Sequence, residues 1–344
     1  MSARPTVSAV LAVLATVGTV GMLSLGQAGC GRGSGSGSTG GSDHRVSAPG
    51  GAPTKTTAST AVLPLPGSGR PQVTIGDKNF SEQFVLGALY QQALEAQGFS
   101  VLLNENIGPT QVTIQALRTG TLGVYPEYLS TWNAAVFGDP RRFGSERAAY
   151  STGQRYARAH GLVLLDPTPF SDTDAIAVTL AYAKANSLST IGDLGAVDSA
   201  LTLGGPLEFQ HGAGGLPAIE QAYGVQPAAF KALEIGGQYQ ALDAGAVQAA
   251  DVKSTDGQLA SGDYALLGDP KGVFGWGNVV PVVSAKVLAQ EGPAFPATIN
   301  RVDALLSTAE MRRLASDVDL AHQDPAAVAK QFLQTHGLVP LGGK

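Results

Sequence analysis

Val73 and Ile75 alternate with polar neighbours, Gly76 breaks the run, and from Ser81 to Gly98 apolar residues recur at helical spacing. This pattern predicts a short strand, a Gly-Asp-Lys-Asn-Phe turn and a helix with Ser81 as its N-cap. The amides of Glu82, Gln83 and Phe84, the positive end of the helix dipole and the charge of Lys78 would then be placed to receive an anion. An ordinary strand-to-helix turn looks the same in sequence. A second strand is expected at Phe99 to Leu103, and a helix at Gln111 to Arg118 that buries Val112, Ile114 and Leu117 and ends at Gly120. A third strand, Leu122 to Tyr125, is expected to close at Pro126. Strands alternating with helices at this spacing predict parallel βαβ units, in which ligands sit beyond the carboxyl ends of the strands. The turns at 76–83, 108–111 and 125–131 would gather at that edge.

Farther along, Ser145 to His160 reads as a helix with Ala148, Ala149, Tyr156 and Ala159 inward. The polar, extended stretch Pro167 to Asp174 feeds a strong strand at Ala175 to Thr179, as a crossover between lobes would. A second α/β set follows: a strand at Leu201 to Leu203, a Gly-rich loop at 204–215, helices at Pro217 to Tyr223 and around Tyr239 to Ala244, and a strand at Ala249 to Lys253. Gly277 to Ser284 is expected to return to the first lobe, with Pro281 marking an edge or a bulge. Pro296 to Phe332 reads as helical packing.

Composition changes this picture mainly at the amino end. Arg4 precedes an uncharged apolar run from Val7 to Leu25, and Gln27-Ala28-Gly29 leads into Cys30, the sole cysteine. That order describes a secretory signal whose cysteine becomes the lipidated first residue of the mature chain, although Gln27 stands where a lipobox prefers an aliphatic residue. A retained membrane anchor is the alternative. Both readings place the body outside the cytoplasm. Residues 31–71 are Gly, Ser, Thr, Ala and Pro with few large apolar side chains, a composition expected to stay disordered and to reach on the order of 35 Å as a leash. The net charge of −5 and the 14% of charged residues offer no basic surface for nucleic acid.

Tests for catalysis come out negative. Gly212-Ala213-Gly214-Gly215-Leu216-Pro217 puts proline where a dinucleotide fingerprint needs its third glycine, and there is no Gly-Lys-Ser/Thr phosphate loop. His44, His160, His211, His322 and His336 are scattered without metal-ligand spacing, and no Gly-x-Ser-x-Gly elbow marks a nucleophile. No cofactor, metal or enzymatic activity is therefore expected. Tyr125, Glu127, Tyr128 and Trp132 form one aromatic cluster with a carboxylate, suited to a cation through contacts worth about 0.5–2 kcal/mol per ring. Inward packing of Tyr128 and Trp132 at i and i+4 of a helix is the other reading.

Four ordered motifs, Ile75-Gly76-Asp77-Lys78-Asn79-Phe80-Ser81-Glu82-Gln83, Gly108-Pro109-Thr110, Tyr125-Pro126-Glu127-Tyr128 and Ser254-Thr255-Asp256-Gly257, resemble the substrate-binding proteins of osmoprotectant ABC importers for glycine betaine, choline and carnitine. The resemblance implies an α/β, type II periplasmic-binding-protein fold with two lobes joined by two crossover segments. Its expected division is a signal peptide at 1–30, the linker at 31–71, lobe 1 at 72–174 plus 273–344, and lobe 2 at 175–272. It also implies a monomer that delivers a small molecule to ABC permease subunits. The implied ligand-binding residues are Lys78, Asn79, Ser81, Gln83, Thr110, Gln111 and Thr255, with Tyr128 as the one surviving ring of an aromatic cage. Asp174, Leu216 and Lys253 occupy the other three cage positions, so the cage is largely dismantled. Asp174 and Lys253 are expected to face each other across the cleft, pairing or binding complementary ligand groups. Glycine betaine binding should then be weak, and a different polar or aromatic ligand, or a sensor role, stays open.

Overall fold

The computed structural model describes residues 64–139 and 141–341. The signal segment, Cys30 and residues 31–63 of the expected linker lie outside the described residues. Residues 64–71, assigned to the linker by composition, form turns against the end of the first helix, where the Gly67 amide donates to the Gln97 carbonyl at 2.9 Å. A side chain at Gly67 would collide with the Phe99 backbone 2.3 Å away, so this approach requires glycine.

Two five-stranded mixed sheets organise the body. The first takes β1 (Gln72–Gly76), β2 (Ser100–Asn104), β3 (Val124–Tyr128) and β4 (Leu162–Leu164) from the amino-terminal side and β10 (Val279–Ser284) from the carboxyl-terminal side, in the order β2-β1-β3-β10-β4. The second is built from β5 (Asp174–Thr179), β6 (Thr202–Gly205), β7 (Ala229–Ala232), β8 (Ala249–Lys253) and β9 (Tyr264–Leu267), in the order β7-β6-β8-β5-β9. The chain leaves the first sheet after β4 and returns at β10, so two segments cross between lobes. They bridge each other at Ser171 and Asn278, where the Asp172 amide donates to the Gly277 carbonyl at 3.0 Å.

β3 runs through Pro126 to Tyr128, two residues beyond where proline was expected to end it. Pro126 and Pro281 sit directly opposite in the antiparallel β3–β10 pair. Neither needs to donate across that pair. The Pro281 carbonyl accepts from the Leu165 amide just past the end of β4, so its missing N–H falls where the ladder stops. β10 is consequently an interior strand and carries no bulge.

The first helix, α1 (Ser81–Ala96), is apolar on most sides because it lies between the sheet and the carboxyl-terminal helices Ala294–Asp303, Thr308–Asp319 and Pro325–Thr335. Its N-cap is Phe80, in extended conformation with no side-chain cap, where Ser81 was expected. The Phe80 carbonyl accepts from the amides of Gln83 and Phe84, which removes two of the three donors assigned to an anion. Helix α2 (Thr110–Thr119) buries Ile114 and Leu117 as expected but turns Val112 to solvent, with Thr113 inward in its place; Gly120 ends it at φ +79°. The Glu146–Ala159 helix buries Ala149, Gly153 and Ala157 and leaves Ala148 and Ala159 exposed. A π-helical stretch, Trp132–Phe137, follows β3 in place of an ordinary helix, and Trp132 packs on Gly153 with its indole N–H donating to that carbonyl at 3.2 Å. Trp132 therefore belongs to the lobe 1 core.

Candidate ligand-binding site

On lobe 1, the carboxyl ends of β1 and β3 and the start of α2 bring together a buried polar knot. The Lys78 ammonium pairs with Glu127, which is fully buried and also accepts from the Thr110 hydroxyl at 3.0 Å, the Tyr125 hydroxyl at 3.3 Å and the Tyr128 amide at 2.8 Å. With its ammonium so committed, Lys78 carries no spare charge for an anion. The Gln83 side-chain oxygen accepts from the Lys78 amide. Tyr128 lies with its ring 5.1 Å from the Lys78 ammonium and 6.0 Å from the Phe80 ring, and its hydroxyl donates to Glu82 at 2.7 Å. Burial, then the nearby Asp172 charge, pushes Glu82 well above the usual carboxylate range, against the Tyr128 hydrogen bond. Asp77, on the turn after β1, is pushed up to about 7 by burial despite accepting from the Asn106 amide at 2.6 Å.

On lobe 2, a cavity of about 720 Å³ opens beyond the carboxyl ends of β6 and β8 and the start of β5. Asp174 and Lys253 are register partners on adjacent antiparallel strands, with Lys253 Nζ 2.5 Å from Asp174 Oδ1. The pairing is therefore within one sheet edge and does not bridge the cleft. Burial opposes the Lys253 charge, but Asp174, Asp172 and Asp251 outweigh it and hold the ammonium above the ordinary lysine value. Asp256 accepts from the Tyr239 hydroxyl at 2.9 Å and the Lys253 amide at 3.0 Å. Asp251, on β8, is buried and pushed up to about 8 by desolvation and then by Asp174. A second hollow of about 430 Å³ adjoins this cavity at Gly214 and is lined from lobe 1 by Asn133 and Phe143 and from the crossover by Phe274 and Trp276. Together they form an interlobe cleft. Among the described residues no group of His, Cys, Asp and Glu has a metal-holding arrangement.

Comparison with known proteins decides what this two-lobed cleft is. The profile of the OpuAC family, the substrate-binding domain of the ABC-type glycine betaine transport system, matches residues 71–335. The chain belongs to this family. It is 29% identical over 291 residues to the glycine betaine-binding protein YehZ of Escherichia coli, covering 80% of this chain and 94% of that protein. It is 26% identical over 280 residues to the carnitine transport binding protein OpuCC of Listeria monocytogenes, covering 80% and 91%. The crystal structure of a glycine betaine/carnitine/choline ABC transporter superposes with a TM-score of 0.74 at 26% identity, over 77% of this chain and 99% of that one. The fold is accordingly the type II periplasmic-binding fold, and the chain is a substrate-binding component that delivers ligand to an importer. Its relatives are named as binding proteins for small solutes, and EgtU of Helicobacter pylori is named as both a transport permease and a binding protein. Among the described residues no helix is long and apolar enough to cross a membrane.

Of the residues this OpuAC member was expected to use, the structure brings Asp174 and Lys253 into the cavity wall. Asn79, Ser81 and Gln111 stand exposed or half-exposed on the lobe 1 rim. Lys78, Gln83, Thr110 and Tyr128 are buried in the knot beneath that rim, and Thr255 is buried near Glu82 and Asp172 where the lobes meet. Leu216 is buried in the lobe 2 core. The carboxylates Glu82, Asp172 and Asp251 were not singled out from sequence. Asp251 had a legible signal: it interrupts Ala249-Ala250-Asp251-Val252, a run that otherwise reads as a fully buried strand, where a charge requires a partner.

Proposed function

We propose that the protein is an extracytoplasmic solute-binding lipoprotein, tethered through Cys30, that captures a small organic cation or zwitterion between its lobes and presents it as a monomer to an ABC permease. The observation that carries this reading is the cleft itself, set at the carboxyl ends of both sheets and spanned, among the described residues, by two chain segments, the geometry of a clamp. Asn79, Ser81 and Gln111 close on the ligand from the lobe 1 rim, while Asp174 and Lys253 meet it from lobe 2. The buried knot of Lys78, Gln83, Thr110 and Tyr128 holds that rim in shape, and Thr255 seats it against lobe 2. The protein acts by binding and release, without turnover.

Native mass spectrometry of ligand carried through purification, followed by titration of that ligand against Trp276 fluorescence, tests the reading. A retained small molecule that changes Trp276 emission saturably supports it, and binding that leaves the crossover tryptophan unaffected counts against closure at this cleft. Radiolabelled palmitate incorporated by the native chain and lost in Cys30→Ala checks the anchor.

A further inference from the structure

The lobe 2 cavity carries more carboxyl groups than its pairings consume. Asp174, Glu208, Asp251, Asp256 and Asp319 line it against the single cation Lys253. Lys253 is already spent on Asp174, and Asp256 is satisfied by Tyr239 and the Lys253 amide. Asp251 is different. Only 6% of it is exposed, it lines the cavity, and its Oδ1 has no hydrogen-bond partner among the described residues. A buried carboxylate oxygen left without a donor is costly, and a ligand that brings the donor recovers that cost.

A fully methylated ammonium cannot bring it, because it has no N–H. Such a cation is held by a cage of aromatic faces, and the carboxylate-lined cavity of lobe 2 has no such cage. Phe209 and Tyr239 are two rings in its lining, Phe143, Phe274 and Trp276 line the adjoining hollow instead, and the Tyr128 hydroxyl is committed to Glu82. Alongside the carboxylates the wall offers aliphatic surface from Ile235, which is 87% exposed at the mouth. The volume of about 720 Å³ lies in the range of drug-sized ligand sites, large for a group as compact as trimethylglycine.

We propose that the ligand is an organic cation bearing N–H donors, a primary ammonium on a short apolar stem, held by Asp251 and flanked by Asp174 in the lobe 2 cavity. This deepens the reading of the cleft as a solute site and rests on it. The carboxylates take the place of the lost cage, and with it the selectivity moves from methylated to unmethylated nitrogen.

Calorimetric titration with two methylation series isolates the donor. The series glycine, sarcosine, dimethylglycine and glycine betaine, and the pair ethanolamine and choline, remove N–H groups stepwise from an otherwise constant skeleton; putrescine and cadaverine add the apolar stem. The least methylated member of a series is expected to bind at least about tenfold more tightly than the fully methylated one, and the diamines more tightly still. Asp251→Asn is expected to erase that preference. Asp174→Asn, on the half-exposed sheet edge, is a second variant should Asp251→Asn fail to fold, and it should weaken amine binding several-fold. Equal or tighter binding of the quaternary members, or no binding by any member, overturns the inference. If quaternary ligands win and Asp174→Asn still weakens them, the cleft reading stands and only the donor requirement falls. Amine binding indifferent to both substitutions overturns the cleft reading as well.

Discussion

At the scale of single residues, the buried pair of Lys78 and Glu127 is the most consequential contact of lobe 1, because three further donors, from Thr110, Tyr125 and the Tyr128 amide, converge on Glu127 and both charges are buried. Removing one member strands the other, which typically costs about 3–5 kcal/mol. For a domain of this size that predicts a melting temperature lower by roughly 6–15 °C in Lys78→Met, read by differential scanning calorimetry. The double variant Lys78→Met/Glu127→Leu should recover part of the loss, since a paired apolar replacement leaves no buried charge. Asp251 gives a pH prediction of its own. Free, it is pushed up to about 8 chiefly by burial, with Asp174 and then Asp256 raising it further and Lys253 lowering it. At pH 7 it is largely protonated and must release that proton to hold a cation. Affinity for a primary ammonium should therefore rise by up to about tenfold per unit from pH 6 toward 8 and level off above. Calorimetry in buffers of different ionisation enthalpy should register a proton released per ligand bound; binding that is flat with pH and releases no proton contradicts the assignment.

At the scale of elements, the hinge depends on how closely the two crossovers approach. A Cβ on Gly277 would lie 1.7 Å from the Asp172 carbonyl oxygen, a backbone atom that cannot step aside, whereas one on Gly268 in the same returning segment would meet the Ser189 carbonyl at an ordinary 3.4 Å. Gly277→Ala is expected to pry the crossovers apart and cost ~2 kcal/mol or more, with a melting temperature lower by about 4–8 °C and altered ligand-induced closure. Gly268→Ala should stay within about 1 kcal/mol of the native protein, and equal effects of the two would refute the packing argument. The elements themselves were largely legible where local pattern and tertiary setting agree. β8 falls at Ala249–Lys253 as its β-branched and small residues indicate, and α2 stops at Gly120. Pattern failed where a partner distant in sequence decides. Pro126 reads as a strand breaker until Pro281 is seen facing it, and Ser81 reads as a cap until the Phe80 carbonyl takes the amides it would have served. The site was legible as loops gathered at a sheet edge. Its electrostatics were not, because Glu82, Asp172 and Asp251 are isolated acids that only the fold assembles.

At the scale of the whole molecule, an unusual number of carboxyl groups are buried with raised proton affinity: Asp77, Glu82, Asp172, Asp251 and Asp303, each chiefly through desolvation. In the unfolded chain these groups titrate near 4. Between that value and their folded values the native state binds more protons than the unfolded state, so each contributes stability that is fully present below about pH 4 and is lost as pH rises through its folded value. The opposing groups are Asp193, held down to about 2 by hydrogen bonds from Ser189 and Thr190, and Asp139, held down by its hydrogen bond with Arg141, but both are fully solvent-screened and act only in the acid range. The apo protein should thus melt at least about 4 °C higher at pH 5.5 than at pH 8.5, corresponding to ~2 kcal/mol. Saturating a cationic ligand should shrink that difference. Binding fixes Asp251 in its ionised form, removing its proton from the folded side of the balance, while mass action raises the melting temperature most where the ligand binds most tightly, at the alkaline end. Scanning calorimetry of apo and ligand-saturated protein across pH 5.5–8.5 tests both parts. A melting temperature that climbs with pH in the apo protein refutes the role of the buried carboxyls, and parallel apo and holo curves refute ionisation of Asp251 on binding.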